Sequence, residues 1–448
     1  MKTRHKTHGK TCLLLALFLS TSGIFAQPAS WKTHLAEYSP QMGDALIKGW
    51  NDSTVVAAYH DNDTQCVALI TIKYFLSNLA TATVYPAAHV IKLSNELDIK
   101  DMCIIGDTLF FCGTHNTLPA YGWYDLSSAL ATPPPLSHIY TITGPIDELY
   151  RLVVYKEVSN DYHLVALGRN PVRNFIVESP SLFLNIPAVN VALMNSTSST
   201  QKDNLDDLTE AEDAIVFVGR DTRYGNNNLC LRLLDKQSQI FSSTKLINQY
   251  VFAMPDHNVQ EPILVTGMTD PLHFSIAGIC LDMNTGIYKL RALDIQVGGS
   301  FLPILNSAKE VVHASDQLTD LTSITSNVIL ALTNLSGTTS TIIPLLFQNS
   351  GSYNTPVFSL WGDKLHSIGK LSGNAFASWG SSHSLYLQKY PTTITCTGID
   401  TKTVTPIETD TPSLIHDPLF ITTYSITISQ LPTSTDTWNI FTDCSKFF

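Results

Sequence analysis

Acidic residues recur at comparable places along the chain, and they are its first chemical signal. Asp101, Asp147 with Glu148, Asp213, Glu261, Asp320 and Asp363 each stand beside an apolar strand-turn-strand stretch. Were those places equivalent, the carboxylates would gather round one axis, raise one another's pKa by like-charge repulsion and suit a cation or cationic ligand. Asp and Glu also start strands and cap turns, which is the plainer reading of the same residues. His60-Asp-Asn-Asp-Thr64 spaces oxygen ligands as a Ca²⁺ loop does but lacks that loop's Gly and distant Glu, so a polar hairpin loop is expected and no other cofactor is indicated. Tyr121, Trp123 and Tyr124 cluster, as do Trp379 and His383. An aromatic face beside a carboxylate holds a sugar ring well, although aromatics in strands usually pack in cores. Asp101, Asp147, Asp213, Glu261 and Asp320, with Trp123 and Trp379, are therefore the candidate ligand-binding set.

Signatures of covalent or metal catalysis are missing. The chain has no Gly-x-Ser-x-Gly elbow, no His-Glu-x-x-His, no phosphate-binding glycine loop and no Cys/His cluster with metal-ligand spacing. Glycosidase carboxylate pairs leave no such trace, because only their separation in space matters.

The elements that must position these residues are strands. Short β-branched and aromatic runs recur between Gly, Asn, Asp, Ser and Pro, and helical periodicity is nearly absent. Val55–Tyr59, Phe110–Gly113, Val165–Gly168, Val216–Gly219 and Leu264–Gly267 repeat an apolar strand that mostly ends in glycine, with weaker copies at 330–333 and 376–379. Successive ends lie 54, 55, 51, 48, 66 and 46 residues apart, room for four short strands per unit. Gly106-Asp107 signals a hairpin within Asp101–Gly113. Leu229–Asp235 and Ile279–Gly286 read as third strands, which gives Cys230 and Cys280 the same place in successive units, and Ile287–Leu290 then reads as an outer fourth strand. Four antiparallel strands, repeated without helices, make a propeller blade.

On these residues, Asp101–Gly113 above all, the chain resembles secreted bacterial β-propeller proteins, many of unknown function. The resemblance implies an all-β propeller of seven four-stranded blades, or eight if Leu419–Ile428 belongs to a further unit. It transfers no site, because propellers host many functions. Trp-Asp dipeptides, recurrent Gly-Gly pairs and the sialidase Asp box are absent. Tandem β-sandwiches and a β-solenoid are the competing architectures, and the first would need linkers where the chain shows only surface-loop sequences.

Residues 1–26 read as a signal peptide, with Lys2, Arg4, Lys6 and Lys10 ahead of the apolar Leu13–Leu19 and a small residue, Ala26, before the cleavage point. Secretion or export to the periplasm is expected. One domain would span 27–448, with a tail at 430–448. Cleavage leaves 23 basic and 38 acidic residues, a formal −15, which disfavours nucleic acid and anionic lipid. No later run is long enough for a helical membrane span. The mature chain keeps seven cysteines, an odd number, with Cys103 facing Phe110 and Cys396 and Cys444 as a candidate pair. The expected function is non-enzymatic: a propeller face that binds a carbohydrate, peptide or protein. The alternative is a glycosidase or lyase with carboxylates near the central channel.

Overall fold

The computed structural model describes residues 30–443, apart from connecting stretches, the longer of which are 36–44, 74–82, 129–136, 180–189, 195–203, 237–245 and 391–400. Residues 1–29, Glu261, Asp363, His383, Cys396 and Cys444 lie outside the described residues, and so do the signal peptide and the proposed Cys396–Cys444 pair.

Among the described residues the elements are strands, and the pairings between them are antiparallel. They fall into successive four-stranded units whose first strands are Leu46–Asn51, Leu97–Ile105, Glu148–Lys156, Asn204–Ala211, Leu264–Gly267, Gln317–Thr325 and Leu365–Lys370. Each first strand contacts the next, and the last contacts the first. The cycle is closed by packing between units, not by one continuous sheet. The result is an all-β, propeller-like fold.

Burial explains the apolar runs. A unit's middle strands are covered on both faces by its neighbours, so Ala214–Asp221 and Ala375–Gly380 are buried along most or all of their length instead of alternating. Trp379 of the last unit stacks on Tyr59 of the first, and Trp123 stacks on His138 and Tyr140 inside the second. Both tryptophans are core residues, buried to 1% and 6% exposure, which corrects their place in the ligand-binding set.

Glycine ends those runs because the strand opposite carries a β-bulge. The inner strand gains one extra residue between Ile99 and Asp101, Leu149 and Arg151, Leu205 and Asp207, Leu318 and Asp320, and Leu365 and Ser367. Gly113 and Gly219 face the residue ahead of the bulge, where a Cβ would stand 1.9 Å from the carbonyl oxygen of Asp98 or Asn204. Only glycine fits so close a backbone approach.

The fifth unit corrects the sequence reading by one strand. Leu264–Gly267 is its inner strand, His273–Asp282 its second and Tyr288–Gly298 its third. Cys280 is therefore on a second strand, while Cys230 is on a third, paired with Gly219. Ile287–Leu290 does not begin a fourth strand either, since that role falls to Leu302–Val312. Gly278 takes the marker position, and the uneven intervals of 48 and 66 residues become 59 and 55.

The chain's ends close the fold from outside. Ser30–Leu35 supplies the fourth strand of the last unit, beside Ser384–Lys389. After that unit the chain turns back round the rim. Thr401–Pro406 pairs with Tyr353–Pro356 and with the fifth unit's outer strand. Ser413–Thr423 joins the outer strands of the fourth and third units, and Ile426–Leu431 adds to the second. Ser434–Asp443 joins the outer strand of the first unit to Ser30–Leu35. The described strands of that stretch, Ser413–Thr423 and Ile426–Leu431, thus lie in a peripheral belt. Such a belt covers strand edges that would otherwise template aggregation.

Candidate functional site

The bulges aim side chains at the axis. A bulge re-aims the residue that follows it, and Asp101, Arg151, Asp207, Asp320 and Ser367, each just past a bulge, line one cavity of about 680 Å³ together with Lys48. His60, Asp98, Lys100, Lys364 and His366 also line it, nearer the start of the inner strands.

The layer past the bulges joins neighbouring units. Asp101 accepts from the Leu152 N–H of the next unit and from the Met102 N–H, both at 2.9 Å. Arg151 Nε lies 3.2 Å from Asp207 Oδ1, and the other oxygen of Asp207 accepts from the Val265 N–H at 2.9 Å. Asp320 takes three donors: Ser367 Oγ at 2.8 Å, Ile368 N–H at 2.7 Å and Leu321 N–H at 2.8 Å. Ser367 Oγ in turn accepts from the Ile47 N–H of the first unit. Ser323 Oγ bonds the Gly267 carbonyl and Gln65 Oε1 accepts from the Ile99 N–H, so polar contacts at the inner strands go from unit to unit all the way round. The third and fourth units meet at the Arg151–Asp207 ion pair.

Both signs of charge meet here. Burial by itself lowers the pKa of Lys48, but attraction by Asp101, Asp320 and Asp207 outweighs it and leaves the ammonium raised. Arg151 is likewise raised against the cost of burial by Asp207, Asp101 and Asp320. Burial pushes Asp207 up to about 7, opposed by Arg151 and the Val265 N–H, and pushes Asp206 up to about 6. At the mouth, burial alone would raise Asp98, but hydrogen bonds from His60 and Lys100 hold its carboxyl below the usual range. Lys100 Nζ stands 2.7 Å from Asp98. The Cys103 thiol is driven up to about 12 by burial, which leaves it unreactive.

The structure brings some of the acids singled out from sequence to the channel and leaves others outside it. Asp101 and Asp320 reach the channel, whereas Asp147 is exposed ahead of its inner strand and Asp213 lies in an exposed turn. Their counterparts in the channel are Arg151 and Asp207. The missed signal is an apolar residue, any residue, then a polar one: Ile99-Lys-Asp101, Leu149-Tyr-Arg151, Leu205-Asp-Asp207, Leu318-Thr-Asp320 and Leu365-His-Ser367. Interleaved lysine and arginine make the ring mixed in sign, unlike the all-acid ring the sequence suggested. Among the described residues no group of three or more His, Cys, Asp and Glu side chains is arranged to hold a metal ion. In the His60–Thr64 stretch, Asn62 and Asp63 lie outside the described residues, while His60 pairs with Asp98 and Thr64 bonds Asn95. Cys103, Cys112 and Cys280 are free thiols, and Cys103 faces Phe110 as expected.

The raised Asp207 carries a pH dependence with a definite sign. Between its ordinary value near 4 and about 7, the folded chain holds a proton that the unfolded chain releases, so stability falls as pH rises through that window. Asp206 adds to the slope up to about 6. Urea unfolding measured from about pH 4 to about pH 8 is expected to show this decline, and Asp207→Asn to flatten it. A wild-type slope that the substitution leaves unchanged would contradict the assignment.

No family model and no curated protein matches the chain. Among solved structures it is similar to the polysaccharide lyase Uly1, with a TM-score of 0.41 and 8% identity over 83% of this chain and 92% of that one. It is also similar to the Bombyx mori GH32 β-fructofuranosidase BmSUC1, with a TM-score of 0.26 and 9% identity over 97% and 98%. Likenesses this remote transfer no residue role.

Proposed function

We propose that the chain is an exported, seven-bladed β-propeller that binds an acidic saccharide at the channel mouth bounded by His60, Lys100, Lys364 and His366. The blade count rests on the cycle of inner strands and on the apolar clusters, each of which fills the gap between two neighbouring units, including the gap between last and first.

One observation carries the ligand class. On a chain with formal charge −11, the described residues of this mouth bring Lys100, Lys364 and two histidines together beside the carboxylate of Asp98. Cationic groups gathered in a concave site on an acidic chain favour an anionic ligand there. The cavity size falls within the range of ordinary ligand sites, and its charged groups offer hydrogen-bond partners to carboxylate and hydroxyls alike. A peptide or protein ligand remains compatible with the same mouth, but nothing about the cavity favours one.

A second reading, a glycosidase or lyase, is favoured by Asp207. A carboxyl held near neutrality inside a cavity has the property required of a general acid. One experiment addresses both readings. Oligogalacturonate binding is followed by calorimetry, and product release by reducing ends and by the absorbance of unsaturated uronides. Binding weakened by Lys364→Ala with His366→Ala, and no product, is the expected result. Product formation abolished by Asp207→Asn would move the reading to the enzyme. Absence of binding would end the saccharide proposal at this mouth.

A further inference from the structure

The channel has a second opening, where the inner strands run into their hairpin turns. Trp50, Asn51, Ile104, Glu210, Met268 and Lys370 line a cavity of about 660 Å³ there. It meets the first cavity at Lys48, Cys103 and Thr209, which line both. Lys48, with its ammonium held by Asp101, Asp320 and Asp207, stands between the two.

Trp50 differs from the tryptophans that the sequence singled out. Trp123 and Trp379 are buried, whereas Trp50 is half-buried, packed on one side against the cluster between the first two units while it lines the cavity. Its indole N–H donates to the Gly106 carbonyl and to Asp107 Oδ1, each at 3.2 Å, in the hairpin turn of the next unit. The ring is therefore fixed before any ligand arrives, which spares a ligand the cost of ordering it. Polar groups come from other units round the same opening. The Glu210 carboxylate is paired with Lys236 Nζ at 2.6 Å, and Lys370 Nζ is 3.4 Å from Thr269 Oγ1. Ile104 and Met268 add apolar wall.

We propose that this opening is a second saccharide site, specific for a neutral sugar. A pinned indole offers a surface to the C–H face of a pyranose. A carboxylate acceptor and an ammonium donor, set on different units, take its hydroxyls. Among the described lining residues Lys48 is held by the channel carboxylates and Glu210 by Lys236, so this opening does not gather cations as the first mouth does with Lys100, Lys364, His60 and His366. The inference goes beyond the first site and stands on different residues.

The test uses the full mature chain with cellobiose, maltose and lactose as neutral probes and galacturonate as the anionic one. Binding is read by saturation-transfer NMR and by tryptophan fluorescence. At least one neutral disaccharide is expected to bind at millimolar concentration. Trp50→Ala is expected to weaken it by about tenfold, the scale of a lost aromatic contact. Trp50→Phe, which keeps most of the packing, and Glu210→Gln, which leaves Trp50 in place, guard against a mere folding defect: each should weaken neutral binding while the chain still melts cooperatively and galacturonate binding is kept. Galacturonate binding should be untouched by these changes and reduced by Lys364→Ala with His366→Ala, which separates this site's failure from that of the first. If no neutral disaccharide binds, or if Trp50→Phe and Glu210→Gln bind them as the parent does, the proposal is wrong.

Discussion

A chain that stops at residue 400 is expected to lose cooperative folding, although every inner, second and third strand of every unit would still be present. Residues 401–443 pair with the outer strands of the fifth, fourth, third, second and first units and with the N-terminal strand of the last. At about 0.5–1.5 kcal/mol net for each backbone hydrogen bond, so much pairing rivals the 5–15 kcal/mol that holds a typical domain folded. Its loss would also bare a ring of edges prone to intermolecular pairing. The measurement is urea unfolding and size-exclusion chromatography of the truncated chain, with aggregation or a broad transition expected. A gentler version replaces Thr437, which stands opposite His89 in the strand joining the first and last units. Thr437→Pro puts a residue without an N–H into that ladder and should cost about 1–3 kcal/mol. A truncated chain that melts sharply within a few degrees of the parent would show the belt to be ornament.

Asp320→Ala is expected to be the most damaging single change in the channel. It strands the Ile368 and Leu321 N–H groups and the Ser367 hydroxyl at the junction of the last two units, and it removes one of the carboxylates that hold Lys48 charged. Each bond to a charged acceptor contributes about 1.5–3 kcal/mol, and since bonds sharing one carboxylate do not add in full, a total loss of about 3–5 kcal/mol is expected. Asp320→Asn keeps an acceptor and should cost about half. Asp147→Ala and Asp213→Ala, on exposed backbone outside the channel, should stay within about 0.5 kcal/mol. Equal costs at all these positions would refute the inter-unit role. Calcium is expected to leave the melting of the parent and of Asp320→Asn unchanged, because the carboxylate's oxygens already accept protein donors.

This division among the acids shows where sequence reasoning reached its limit. Asp101 and Asp320 were legible because each is an acid just ahead of a hairpin. In the third and fourth units the acids read from the sequence were Asp147 and Asp213, and the position that lines the channel holds Arg151 and Asp207. A bulge shifts the side-chain alternation by one residue, and where it falls is set by pairing with the partner strand. The fifth unit misled for a related reason: Leu264–Gly267 ends in glycine like a second strand, yet it is the inner strand, and Gly278 fills the marker position.

By itself the sequence determined the all-β class, the four-stranded repeat and the apolar middle strands, because strand propensity, turn residues and burial on both faces are local properties that each unit states for itself. It also fixed the overall acidity. Tertiary structure alone decided which side chains share the channel, that lysine and arginine alternate with the acids there, and that Trp50 lines an opening while Trp123 and Trp379 fill the core. The belt belongs to the same class. Residues 413–443 read as ordinary strands, and their partners are the outer strands of units made far earlier in the chain. Pairing between segments hundreds of residues apart depends on where closure of the ring brings their edges, and that is a property of the assembled molecule, which no stretch of its sequence encodes alone.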